Sequence, residues 1–209
     1  FFRRGITLRH QFIDVLFFNL IGFGVRQRAA MRDAGAVEKR FQFALLGFGQ
    51  GFQPVCGFNY GARKYERVTR GFRFCVRSSS LILLTLAVLG FLFAPQIIAV
   101  FRGDDAEVVR IGALTLRLQC ISFPITGFVV MSNMLLQNIA MTLRASIVAA
   151  ARQGLFFVPF ALILPHLFGL AGVQCCQAAS DLCAFILALC VTLPVVRQLS
   201  EGKNPHDAI

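Results

Sequence analysis

The sequence predicts an all-α fold, a polytopic membrane helix bundle with about five clear transmembrane helices. Of its 209 residues, 56% are hydrophobic and only 15% are charged, whereas a soluble domain is about 45–50% apolar and about 25% charged. The charged residues leave several windows of the length that crosses a bilayer, which takes about 20 apolar residues. The apolar runs are also too long for strands and do not alternate with polar residues. A soluble domain and a β-sheet protein are therefore both disfavoured.

Five apolar windows are the predicted transmembrane spans. Residues 79–101 form the clearest span, and residues 41–61 form the weakest because polar residues and a proline interrupt it. Proline and glycine within residues 165–172 separate the last two spans. In the first span, the Gly47-xxx-Gly51 spacing predicts a close approach of two helices. The spans lie at 41–61, 79–101, 113–138, 145–165 and 170–196.

The distribution of basic residues predicts the orientation of these spans. Residues 63–77, between the first two spans, carry six basic residues and one acidic residue, whereas residues 102–107 carry one basic and three acidic residues. Because short loops rich in Lys and Arg stay in the cytoplasm, we expect a multi-pass protein of the plasma (inner) membrane with a cytoplasmic C-terminus. The net charge of +11 then reflects topology, with the lipid bilayer as a partner and no nucleic acid bound.

The chain divides into three predicted segments. Residues 41–197 form the helix bundle, and residues 198–209 form a cytoplasmic tail. Residues 1–40 are atypical, because Val15–Val25 is apolar but too short to cross a bilayer and a charged, alanine-rich stretch follows it. A basic stretch directly before the first span also conflicts with the predicted orientation. We expect residues 1–40 to be a degenerate or misread first helix.

Four ordered segments resemble the carboxyl-terminal lobe of the multidrug and toxic compound extrusion (MATE) transporters. Several motifs in the same order are more specific than any one of them alone. The resemblance implies the MATE fold of twelve helices in two six-helix lobes, of which this chain would supply the last five helices. The first helix of the lobe would fall in residues 1–40, and the amino-terminal lobe is missing. The segments are 46-LGFGQGFQPVCGFNYGARKYERV-68, 117-RLQCISFPITGFVVMSNMLLQ-137, 152-RQGLFFVPFALILPHLFGLAGV-173 and 177-QAASD-181.

The resemblance implies ion-coupled antiport, in which drugs or other organic compounds leave the cell as Na⁺ or H⁺ enters. Family substrates occupy a cavity between the lobes, so this chain would need the missing N-terminal lobe or a second copy as partner, with an organic cation or drug as substrate. Two alternatives stay open, a truncated non-transporting membrane protein remnant and a lipid-linked saccharide exporter of the same superfold. The segment 54-PVCGFNYGA-62 disfavours the saccharide exporter.

Motifs for enzymes, cofactors and metals are missing from the sequence. It contains no P-loop, no GxSxG and no HExxH pattern, so we predict no enzyme activity and no cofactor beyond a coupling ion. The seven cysteines include no CxxC pair. A metal site would need His or acidic ligands near the cysteines, and in the last span only Asp181 lies near them. We therefore expect no metal site and interpret the cysteines as small packing residues.

Asp181 is the only acidic residue inside a predicted span. A carboxylate within the membrane is costly, so it should face the bundle interior, water or a charged partner. Gln174, Gln177 and Asp181 fall at i, i+3 and i+7 on one stripe of the last span, and they form a candidate pathway for substrate or coupling ion. The alternative is a structural ion pair between Asp181 and Arg117 or Arg152.

Further candidates for the pathway lie in the first and third spans. Asn133 and Gln137 share a face at i and i+4, and a mid-span proline bends the same helix, which is typical of a cavity wall. Interhelical hydrogen bonding is the alternative role of these amides. In the first span, Gln53 is the candidate cavity residue. Arg117 and Arg152 are predicted as gate or cytoplasmic anchor residues.

Overall fold

The computed structural model describes residues 25–101 and 106–208, and it confirms the all-α class for them. No strand occurs in these residues. Residues 1–24 of the predicted atypical segment lie outside the described residues. The last long helix, Phe157–Ser200, is interrupted at Gly169 and is treated as α6 and α7. The elements are α1 (Val25–Gly61), α2 (Tyr65–Leu92), α3 (Ala94–Phe101), α4 (Ala106–Asn138), α5 (Thr142–Ala150), a π segment (Ala151–Leu155), α6 (Phe157–Gly169), α7 (Ala171–Ser200) and a 3₁₀ turn (Pro205–Ala208).

Three of the described helices, α2, α4 and α7, are long and apolar enough to cross a membrane. They correspond to the second, third and fifth predicted spans, and α6 is a shorter apolar helix within the fourth. The first predicted span, residues 41–61, is the last part of α1, whose described part begins at Val25. Alanine, arginine, glutamine and lysine favour helix, so the charged stretch before residue 41 forms the first part of the same helix.

Pro95 divides the predicted second span into two helices, α2 and α3, with the break at Phe93. A proline has no N–H, and its ring displaces the carbonyl group four residues earlier, which here belongs to Phe91. The Arg117 side chain on α4 satisfies this carbonyl, because Arg117 Nε donates to the Phe91 oxygen at 3.3 Å. The guanidinium also lies 5.4 Å from the centre of the Phe91 ring. Arg117 therefore fastens α4 to the end of α2.

The fourth span contains a wide turn and ends at a kink. In the π segment, the Phe156 N–H donates to the Ala151 oxygen at 3.2 Å, in the i→i+5 pattern of a π turn. Pro159 follows in the first turn of α6, where a missing N–H is tolerated. At Gly169, φ is 55° and ψ is −128°, a conformation that residues with a Cβ rarely adopt. The predicted break between the last two spans is confirmed at this glycine.

Helix α4 lies in the middle of the bundle. It packs against α1, α2, α3 and α5 and against the last long helix. Gly49 of α1 faces Met134 of α4 so closely that a Cβ on Gly49 would overlap the Met134 sulfur. Among the described residues, no atom lies within 4 Å of a Cβ placed on Gly47 or Gly51. The close approach between α1 and α4 is at Gly49, and the contact predicted from the spacing of Gly47 and Gly51 stays a prediction.

The α1–α2 and α4–α5 turns and the C-terminal segment lie together at one end of the bundle. The Tyr60 hydroxyl donates to Asn204 Oδ1 at 2.8 Å, and His206 Nε2 lies 2.7 Å from the backbone oxygen of Ile139. These two contacts join the ends of α1 and α4 to the segment that follows α7. The six basic residues within residues 63–77 begin at the same end, which we call the basic end.

Candidate ion-pair site

The structure brings three of the predicted site residues together around one carboxylate, that of Asp181. Arg152 Nε lies 3.2 Å from Asp181 Oδ1, and the Asp181 side chain is only 4% exposed. Gln177 Nε2 donates to the same oxygen at 3.2 Å. Ser122 Oγ lies 3.2 Å from the other oxygen, Oδ2. Both oxygens of the carboxylate are therefore in contact with donors inside the bundle.

Three separate segments of the chain position these groups. Arg152 comes from the π segment, whose wide turn shifts its residues out of α-helical register. The hydroxyl of Ser180 on α7 lies 3.4 Å from the Arg152 backbone oxygen and so joins the π segment to α7. Gln177 precedes Asp181 by about one turn of α7, so both side chains project to the same side. Ser122 comes from α4, the central helix.

The site neutralises a buried carboxylate with a largely buried guanidinium. The Arg152 side chain is 15% exposed, and a pair so removed from water is tolerated only where further hydrogen bonds complete it. Gln177 supplies one of those hydrogen bonds, and the Ser122 hydroxyl shares its one proton between Asp181 Oδ2 and the Gln119 backbone oxygen, which lies 2.9 Å away. The ion pair therefore contributes to the contact between α7 and the π segment.

The two candidate arginines occupy different places. Of the two partners considered for Asp181, Arg152 makes the ion pair. It lies about 15 Å along the helix from Thr142, at about 1.5 Å per residue, and therefore inside the bundle. Arg117 lies where α2 ends and contacts Phe91 there, which is at the opposite end of α2 from the basic end.

The other predicted pathway residues lie apart from this carboxylate. Gln174 is buried, and its Nε2 donates at 3.4 Å to a backbone oxygen of α4. Gln53 is half-buried on α1, and on α4 Asn133 is half-buried and Gln137 is exposed. Gln174 thus fastens α7 to α4, and the other three residues are spread over α1 and α4.

Ser122 and Thr192 were not predicted as site residues from the sequence. Among the residues that the structure describes, Ser132 Oγ, Asn133 Oδ1 and Thr192 Oγ1 are buried without a hydrogen-bond partner. Helices α4 and α7 meet at Ser122 and Asp181 and run in the same direction. Thr192 follows Asp181 by as many residues as Asn133 follows Ser122, so Thr192 and Asn133 lie at a similar height in the bundle. A lone Ser or Thr in an apolar helix gives little signal, since its hydroxyl commonly bonds to its own helix.

A buried ion pair within a bundle of long apolar helices is typical of the class of membrane transport proteins. The comparison with protein families identifies the particular family. A family model described as MatE matches residues 6–163, which is more than half of the chain. The chain belongs to the MatE family, and the predicted resemblance to this family is confirmed.

Solved structures of MATE transporters have the same fold. An outward-facing multidrug resistance MATE family transporter matches with a TM-score of 0.81 and 22% identity, over 90% of this chain and 43% of that chain. A mutant of the Vibrio cholerae MATE transporter VcmN matches with a TM-score of 0.82 and 19% identity, over 91% and 44%. An inward-facing MATE family transporter matches with a TM-score of 0.75 and 20% identity, over 90% and 46%.

The chain matches only a part of each of these solved structures. The chain spans less than half the length of the three transporters. It therefore corresponds to a part of such a protein. No match was found among the curated proteins.

Proposed function

We propose that this chain is one lobe of an ion-coupled exporter of drugs or other organic compounds. Its membership of the MatE family supports transport as the class of function. The observation that carries the proposal is the Asp181 carboxylate, which is buried in the bundle and paired with Arg152 from another segment. Ionisable groups at such positions mark ion or substrate pathways in membrane proteins.

The proposed lobe is the carboxyl-terminal one, formed by the bundle within residues 41–197 together with residues 25–40, which belong to α1. The four resembling segments favour this assignment. The basic end, with its six Lys and Arg residues against one acid within residues 63–77, faces the cytoplasm under the positive-inside rule. The C-terminus would then be cytoplasmic, in the plasma (inner) membrane. The missing N-terminal lobe or a second copy would complete the substrate cavity.

In the proposed mechanism, Asp181 binds the coupling ion. An inward-moving H⁺ or Na⁺ competes with Arg152 for the carboxylate and loosens the contact between α7 and the π segment. Gln177 keeps a hydrogen bond to Oδ1 and so holds the side chain in place. The remaining polar residues of the proposed pathway are Gln53, Asn133, Gln137 and Gln174, which supply neutral hydrogen-bonding groups along α1, α4 and α7.

Transport into everted membrane vesicles tests the proposal. The chain is expressed alone and together with a MATE amino-terminal lobe, and uptake of ethidium is measured with an imposed H⁺ or Na⁺ gradient. We expect gradient-driven uptake in at least one pairing. Asp181→Asn should abolish the dependence on the gradient, because the amide neither binds a proton nor carries charge. Glu201→Gln, at an exposed carboxylate near the C-terminus, is the matched control and should transport normally.

Each result separates the candidate functions. Uptake that depends on the gradient in the control but not in the Asp181→Asn variant supports coupling through this carboxylate. Unchanged coupling in the Asp181→Asn variant would remove Asp181 from the mechanism and leave its ion pair a structural one. If no pairing transports although the chain is folded in the membrane, the chain is a non-transporting remnant.

A further inference from the structure

Helix α2 carries one continuous exposed stripe that changes from basic to apolar along its length. Its members recur at steps of three and four residues, so they lie on one face of the helix. Every one of them is exposed. Beginning at the basic end, the stripe, which we call the α2 stripe, consists of Arg67, Arg70, Phe74, Arg77, Leu81, Leu84 and Val88.

The opposite face of α2 is the one that packs. Its buried residues also recur at steps of three and four, and they include Phe72, Cys75, Ser79 and Leu83. Phe72 meets the Phe128 ring of α4 with 6.3 Å between the ring centres. Since the core occupies this face, the α2 stripe points away from the bundle.

The basic half of the stripe has little negative charge nearby. Glu66 is the only acid in α2, and it pairs with Arg70 at 3.1 Å with both side chains largely exposed. An exposed pair of this kind contributes little. Arg73, which precedes Phe74 of the stripe, is exposed as well. This part of α2 therefore presents more guanidinium groups than carboxylates.

The apolar half of the stripe has the length of one membrane leaflet. From Arg77 to Val88 the helix rises about 16 Å, at about 1.5 Å per residue, and half of the hydrocarbon core is about 15 Å. Leu81 and Val88 are 64% and 51% exposed, as expected of side chains that face acyl chains. Phe74 stands between Arg70 and Arg77, at the level where aromatic residues favour the membrane interface.

We propose that the α2 stripe binds an anionic phospholipid. The phosphate of the headgroup lies against the guanidinium groups of Arg67, Arg70 and Arg77, and an acyl chain lies along Leu81, Leu84 and Val88. A cluster of basic residues next to a membrane helix attracts anionic lipids. A nucleic acid would use the guanidinium groups but not the apolar continuation, which favours the lipid. This inference does not depend on transport activity.

Lipid binding to the whole purified chain in neutral detergent tests the proposal. Phosphatidylglycerol or phosphatidylcholine is titrated, and binding is followed by native mass spectrometry. The triple variant Arg67→Gln, Arg70→Gln and Arg77→Gln keeps side-chain length and helix propensity. We expect it to bind phosphatidylglycerol about a hundredfold more weakly, since each basic residue near the surface accounts for about a fivefold change. Its weak binding of phosphatidylcholine should not change.

Two further arms make the result decisive. The control variant Arg144→Gln, Arg197→Gln and Lys203→Gln removes the same charge from other elements, and its affinity for phosphatidylglycerol should change less than threefold. Arg77→Gln alone should weaken binding about fivefold, which provides a readout if the triple variant does not fold. Equal loss in the control, or equal binding by the stripe variant, would overturn the proposal. Full displacement of the lipid by inorganic phosphate or by a short DNA duplex would overturn it as well.

Discussion

The ion pair between Arg152 and Asp181 makes a quantitative prediction about stability. Asp181→Ala leaves the guanidinium in the bundle without its carboxylate, and breaking a buried pair in this way costs about 3–5 kcal/mol. Because the Arg152 side chain keeps 15% exposure and can recover some hydration, we expect the lower end, about 3 kcal/mol. Arg152→Met should cost a similar amount, since it leaves the carboxylate at 4% exposure with neutral donors only.

The double variant distinguishes an ion pair from two independent contacts. Replacing both partners, Arg152→Met with Asp181→Leu, removes both charges and fills the space with apolar groups. Such replacements are often neutral or stabilising, so we expect the double variant to lie within about 1 kcal/mol of the unmodified chain. Two independent contacts would instead give the sum of the single losses, about 6 kcal/mol by the same estimate.

Reversible unfolding by SDS in mixed micelles, followed by circular dichroism, measures these free energies. Glu201→Gln is the control, because its carboxylate is exposed and surface substitutions usually stay within about 0.5 kcal/mol. A double variant as unstable as the sum of the single variants would refute the reasoning. So would an Asp181→Ala variant that is as stable as the unmodified chain.

The same unfolding assay checks three other predictions. Gly49→Ala should be about 1 kcal/mol less favourable than Gly47→Ala, because a Cβ at Gly49 forces the end of the Met134 side chain to move, whereas no described atom lies within 4 Å of a Cβ at Gly47; equal effects would contradict the packing. Arg117→Met should cost about 1–3 kcal/mol, because the Phe91 carbonyl then has no hydrogen-bond donor. Adding Pro95→Ala to the Arg117→Met variant should recover part of this loss, because residue 95 then has an N–H that can donate to the same carbonyl. Gly169→Ala should cost about 1–3 kcal/mol because its φ of 55° and ψ of −128° are a combination that residues with a Cβ rarely adopt, and a neutral result would mean that the kink relaxes.

Much of the fold follows from where charge is absent. A helix that crosses lipid needs about 20 predominantly apolar residues, so the windows with few or no charges predicted α2, α4 and α7. The same physics required a partner for Asp181, because an unpaired carboxylate is costly there. Arg152 and Arg117 were both open as that partner, since each lies inside or beside an apolar window and sequence distance does not place either next to α7.

Features that depend on a second helix escaped prediction. Pro95 lies in an apolar run and divides α2 from α3, and the side chain that satisfies the freed carbonyl comes from α4. The π segment depends on its packing against α7 as well as on the residues before and after it. Gly49 was missed for a related reason, because the spacing of Gly47 and Gly51 predicts a flat surface but does not say which face of α1 meets α4.

The order of synthesis gives the Arg152–Asp181 pair a consequence for membrane insertion. The π segment leaves the ribosome before α7, so the guanidinium reaches the bilayer before its carboxylate does. An arginine at the centre of a membrane helix costs about 2.5–3.5 kcal/mol on insertion scales, which offsets much of the apolar gain of the short helix α6. The segment from α5 to α7 should therefore enter the bilayer as a unit, and a chain that ends before Asp181 would carry the insertion cost of Arg152 without the carboxylate that offsets it.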